Sequence, residues 1–72
     1  MDAKKTGCFI AEKRKEKQLS QRELAEHLHI TDKAISKWER GRSFPDITIL
    51  IPLSEVLELS LYDLLTGGGE SE

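Results

Sequence analysis

Apolar residues recur along this chain at intervals of three and four, and no stretch alternates with the period of two that a half-buried strand requires. The pattern predicts five helical segments. The first runs from about Thr6 to Lys17, with Phe9, Ile10 and Arg14 at helical spacing. Ser20 opens the second, and Glu23 completes a capping box in which hydroxyl and carboxylate satisfy orphan N–H groups reciprocally. Leu24, Ala25 and Leu28 form its apolar stripe. Thr31 caps the third segment, Asp32 suits its positive end, and Ile35 and Trp38 are its inward positions. Gly41 stops that helix in the left-handed conformation glycine adopts without steric cost.

Phe44-Pro45 reads as a turn and Asp46 as the cap of the fourth helix. Pro52 follows six residues later, where it removes a backbone hydrogen bond and crowds the carbonyl four residues back. The fourth helix is therefore expected to begin as a tight turn or to kink, with its regular part nearer Leu53 to Leu57. Ser60 caps a short fifth helix that ends at about Leu65. Connections of two to five residues suit a compact all-α bundle with no internal linker. Its expected core is Ile10, Leu19, Leu24, Ala25, Leu28, Ile30, Ile35, Trp38, Leu50, Leu53, Leu57, Leu59, Leu61, Leu64 and Leu65.

Length adds one limit: 72 residues make a single domain, and a chain this short buries only roughly 60% of its unfolded surface, which leaves little room for a deep enzyme cleft. Residues 1–66 are read as that domain, and residues 67–72, Gly-Gly-Gly-Glu-Ser-Glu, as a flexible acidic tail or the start of a linker. Cys8 is the single cysteine, so no internal disulfide can form, which fits a reducing cytoplasm. No apolar run approaches the roughly 20 residues of a membrane helix, and Met1-Asp2-Ala3-Lys4-Lys5 is not followed by a signal-peptide core. A soluble, unprocessed, cytoplasmic protein is expected.

Charge is more informative when divided than when summed. The formal net charge is -2, yet residues 1–42 hold all 11 Lys and Arg against seven acids, and residues 43–72 hold six acids and no base. Such asymmetry points to a basic working face. An acidic total does not forbid DNA binding, because phosphate contacts respond to the local field within a Debye length of about 8 Å.

Two helices joined by a three- or four-residue turn can cross steeply only over a small contact residue, and Ala25 occupies that place. The stretch LSQRELAEHLHITDKAISKWERGRSFPDI, Leu19 to Ile47, resembles the core motif of the phage repressor and Cro (XRE-like) helix-turn-helix family. LSEVLELSLYDLL, Leu53 to Leu65, resembles its last two helices, so the likeness covers about residues 6–66. It implies a lambda-repressor-like five-helix bundle whose second and third helices form the motif. Gln21 would then bond a phosphate and brace the recognition helix. Thr31, Asp32, Lys33, Ser36 and Lys37 match positions that meet base edges and flanking phosphates. Arg40, Arg42, Ser43 and Phe44 match the loop that grips the sugar-phosphate strand, the last two through backbone N–H groups. Arg14 and Glu39 match a partly buried ion pair between the first and third helices, with a structural role. His29 departs from the family, which commonly has Gly in this turn. A left-handed backbone is uncommon for a residue with a side chain, though His is enriched there. The turn is expected either to carry strain or to relax and shift the third helix.

Helical geometry independently places positions 32, 33, 36, 37 and 40 on one face, opposite Ile35 and Trp38. Lys33 and Lys37 could reach guanine acceptors, and Asp32 could accept from a cytosine amine. Trp38 reads as core and not as a base-stacking platform. His27 and His29 do not share a helix face, so with Cys8 they make no convincing zinc site, and no metal or other cofactor is expected. Ser36, Ser54 and the histidines show no arrangement for nucleophilic catalysis. The expected partner is double-stranded DNA, bound as a transcriptional repressor, with Leu50-Ile51 and Leu61-Tyr62 offering a seam for a homodimer on a palindromic operator. The rival is an antitoxin-like protein-interaction module on the same fold, whose acidic second half holds a basic partner. A third reading makes residues 1–66 the head of a longer regulator with a further C-terminal domain.

Overall fold

Every helix starts at a short oxygen-bearing side chain. In the computed structural model, which describes residues 2–68, α1 spans Ala3–Glu16, α2 Gln21–Leu28, α3 Asp32–Glu39, α4 Ile47–Leu57 and α5 Leu61–Thr66. Asp2 accepts from the Lys4 and Lys5 N–H groups, Ser20 from Glu23, Thr31 from Ala34, Asp46 from Ile49 and Ser60 from Asp63, at 3.0–3.3 Å. Each such cap contributes about 1 kcal/mol to helix formation. The Ser20–Glu23 capping box forms in both directions.

Two expectations about helix limits are corrected. The first helix begins at Ala3 and not near Thr6, because Asp2 caps it with its carboxylate and its carbonyl accepts from the Thr6 N–H at 2.9 Å. The fourth is one α-helix from Ile47 with Pro52 inside it, and its regular part is not delayed to Leu53. The missing Pro52 N–H deprives only the carbonyl of Thr48, an exposed residue whose carbonyl can turn to water. Leu50, Leu53 and Leu57 are buried on the other side, and roughly 1.5–3 kcal/mol for each outweighs the proline's penalty of about 3 kcal/mol.

The core comprises Ile10, Leu24, Ala25, Leu28, Ile35, Trp38, Leu50, Leu53, Leu57 and Leu64, with Leu19, Ile30, Leu59 and Leu65 half-buried around it. Leu61, expected inside, is exposed, because the first turn of α5 faces outward before Leu64 turns in. Leu50, expected both in the core and at a dimer seam, is a core residue.

Two buried features fasten α1 to its neighbours. Gly7 lies so close to α3 that a Cβ there would stand 1.8 Å from the Trp38 carbonyl oxygen. The Thr6 hydroxyl, fully buried, donates to the Leu64 carbonyl at 2.9 Å and so ties α1 to α5. At the far end of α1, Lys17 pairs with Glu58, and its ammonium holds that carboxyl below the usual carboxylate range. Gly67 and Gly68 close α5, the Gly68 N–H donating to the Asp63 carbonyl at 2.8 Å, while residues 69–72 of the expected tail lie outside the described residues. No helix among the described residues is long and apolar enough to cross a membrane.

Candidate nucleic-acid interface

The turn between α2 and α3 determines how α3 is presented. His29 closes α2 in the left-handed conformation, φ 58 and ψ 41, and the following Ile30 N–H donates to the Ala25 carbonyl at 3.0 Å. The chain thus reverses within three residues, and Thr31 starts α3 at once. The turn does not relax away from left-handed geometry to accommodate the imidazole. Ala25, with almost no side chain, is buried at this crossing.

The opposite faces of α3 have opposite chemistry. Ile35 and Trp38 are buried, whereas Thr31, Asp32, Lys33, Lys37 and Arg40 are exposed and Ser36 is half-buried beside them. Thr31 spends its oxygen on the Ala34 N–H, which leaves its O–H free to donate. Arg40 folds back so that its Nε donates to the Ser36 carbonyl at 3.2 Å, which engages neither of its terminal nitrogens. Gly41, at φ 73, completes the stop, and the Arg42 N–H donates to the Lys37 carbonyl at 2.9 Å. Arg42 and Ser43 are exposed, Phe44 half-buried and Pro45 buried. Among the described residues neither the Ser43 nor the Phe44 N–H finds an internal acceptor, so both remain available to an outside oxygen.

Behind this surface lies a polar clamp joining three helices. The Arg14 guanidinium donates to Glu39 through Nε at 2.7 Å and Nη2 at 3.1 Å, and through Nη1 to the Leu19 carbonyl at 2.7 Å. Gln21 Nε2 donates to the same Glu39 carboxylate at 2.8 Å. The ion-paired side chains are only 10% and 8% exposed, so each charge depends on its partners in place of water. Gln21 therefore reaches α3 through Glu39, and its amide keeps a second N–H and an oxygen for other contacts.

The structure gathers Thr31, Asp32, Lys33, Ser36, Lys37, Arg40, Arg42, Ser43 and Phe44 along α3 and the loop after it, with Gln21 at the start of α2. Sequence reasoning missed Gly7, which sets how closely α1 approaches the end of α3. Its signal was a glycine inside a helix, a place where Gly costs about 1 kcal/mol relative to Ala and so marks a close approach.

Comparison with known proteins agrees with this architecture. A family described as helix-turn-helix matches residues 10–64. The ImmF control region 10 kDa protein of Bacillus phage phi105 is 38% identical over 76 residues, covering 96% of this chain and 84% of that protein. The HTH-type transcriptional activator BcrR of Enterococcus faecalis is 39% identical over 51 residues, which are 71% of this chain but only 25% of BcrR. Among solved structures, the P22 c2 repressor protein in complex with synthetic operator 9T is 34% identical, superposes with a TM-score of 0.83, and is matched over 86% of this chain and 94% of its own. With five helices among the described residues, a turn of this geometry and a match spanning most of its length, the chain belongs to the Cro/C1-type (XRE) helix-turn-helix family of DNA-binding regulators.

Proposed function

We propose that this protein is a sequence-specific double-stranded DNA-binding module of a bacterial or phage transcriptional repressor, with α3 lying in the major groove. The observation that carries this reading is the exposed polar face of α3, backed by the Arg14–Glu39–Gln21 clamp. Asp32, Lys33, Ser36 and Lys37 meet base edges, and Thr31 and Gln21 meet flanking phosphates. Arg40, Arg42 and the Ser43 and Phe44 N–H groups hold the sugar-phosphate strand. The chain's likeness to DNA-binding regulators supports a binding module in place of an enzyme. It works in the cytoplasm.

One recognition helix reads only a few base pairs, so two copies on half-sites about one helical turn apart are the natural working unit. Ile47, Ile51, Leu61 and Tyr62 expose apolar side chains on α4 and α5 and form the proposed homodimer surface. Because the chain spans a quarter of BcrR, residues 1–66 are also proposed as the reading head of a longer regulator, with residues 67–72 beginning its linker.

The test is affinity selection from random duplex DNA at about physiological salt, with wild type beside a Lys33→Ala, Lys37→Ala double mutant. An enriched motif that the mutant loses is the expected result, and a palindromic motif would support the dimer. No enrichment by folded wild-type protein would overturn the reading in favour of an antitoxin-like interaction module.

A further inference from the structure

The segment after α3 does not stand alone. A Cβ at Gly41 would meet Lys4 Cα at 2.8 Å, Lys4 Cβ at 3.0 Å and Lys4 Cγ at 3.3 Å, so the backbone and first stem carbons of Lys4 lie directly over Gly41, between Arg40 and Arg42. This placement is pinned from two sides. Gly7, three residues on, sits flush against the Trp38 carbonyl, and Asp2 caps the first turn of α1 through the Lys4 and Lys5 N–H groups. Lys4 is exposed and, among the described residues, makes no ion pair. Asp2, the acid at the cap of α1, has its Oδ1 committed to those two N–H groups.

We propose that Lys4 is a further phosphate-contacting residue, supplied by α1 to the strand that Arg40 and Arg42 hold. The inference rests on the DNA-binding reading above. Phosphates follow one another every 3.4 Å or so of helix axis along a strand, so a cation packed over Gly41 finds a phosphate beside those met by its neighbours. A lysine serves here as a mobile point charge on a flexible stem and reads no base, so its contribution is independent of sequence. The grip on the DNA backbone thereby draws on two elements that the Gly7 and Gly41 contacts fix to each other, and the first turn of α1 becomes part of the interface.

The test is binding of the selected duplex across a salt series by wild type, Lys4→Gln, Lys4→Arg and Lys13→Gln. Lys13 lies on the opposite side of α1, where it pairs with Glu16, and its replacement removes the same charge away from the loop. The slope of log K against log salt should become shallower by about 0.9 in Lys4→Gln, and stay at the wild-type value in Lys4→Arg and Lys13→Gln. The selected motif and the melting temperature should not change. Equal slopes in Lys4→Gln and Lys13→Gln would overturn the contact alone, as would a changed motif in Lys4→Gln. Wild type that selects no duplex would overturn the DNA reading and this contact with it.

Discussion

His29 shows how a single backbone conformation is held against its intrinsic preference. Its φ of 58 places a side chain in the left-handed region, where the crowding of Cβ against the next carbonyl costs roughly 1–2 kcal/mol and glycine is free of it. The imidazole is exposed and, among the described residues, makes no hydrogen bond that would offset the cost. Replacing His29 by Gly should therefore stabilise the fold by roughly 0.5–1 kcal/mol once the greater freedom of unfolded glycine is deducted. For a domain of this size that is a rise of several degrees in the thermal midpoint, at about 4–8 °C per kcal/mol. An unchanged midpoint would show the turn to be unstrained. Glu58 has the same φ of 58 at the end of α4, but there the side chain bonds Lys17. Glu58→Gly should gain less than His29→Gly, because the relief of strain is set against a lost ion pair.

At the scale of the elements, the orientation of α3 depends on one carboxylate. Glu39 receives two hydrogen bonds from Arg14 on α1 and one from Gln21 on α2, so the recognition helix is fixed to both neighbours at its last residue. Removing one partner of a pair this buried leaves a charge without compensation, at a cost of about 3–5 kcal/mol. Arg14→Met should lower the urea midpoint accordingly, while the folded fraction selects the wild-type motif. A lost motif at full stability would instead make Arg14 a DNA contact. The Arg14–Glu39 pair, the Ser20–Glu23 capping box and the helix order were legible in the sequence because they depend on local chemistry or on the family pattern, whereas the Gln21 bond to Glu39 was not. Tertiary contacts concealed the rest. A proline six residues past its cap reads as a helix breaker, and only the burial of Leu50, Leu53 and Leu57 makes an unbroken α4 affordable. Leu61 leaves the expected core, while Leu50 keeps its place there and leaves the expected seam, because periodicity does not say which side of a short helix meets the core. Thr6 and Gly7 owe their importance to partners at Leu64 and Trp38, far along the chain: a glycine inside a helix hints at a close approach without saying to what, and nothing near Thr6 in sequence announces its bond.

For the molecule as a whole, the division of charge separates two kinds of contact that a single affinity would merge. The half with all the lysines and arginines carries α3 and the first three residues of the loop after it, and the acidic half, residues 43–72, carries the rest of that loop with α4 and α5. Long-range attraction to the phosphates then comes from one side, and the acidic remainder opposes sequence-independent attachment by other faces. Within the basic half the two roles should part experimentally. Lys37 projects from the exposed face of α3, so Lys37→Ala should weaken the selected site by roughly 1–3 kcal/mol and relax its sequence preference, while leaving non-cognate binding little changed. Arg42 lies beyond the end of α3, in the loop proposed to hold the sugar-phosphate strand, so Arg42→Gln should weaken cognate and non-cognate duplexes alike and reduce the salt slope by about one. Titrations of both duplexes at several salt concentrations decide the matter. If Arg42→Gln lowered cognate affinity alone, the loop would be reading bases, and the boundary between recognition and attachment would have to move past Gly41.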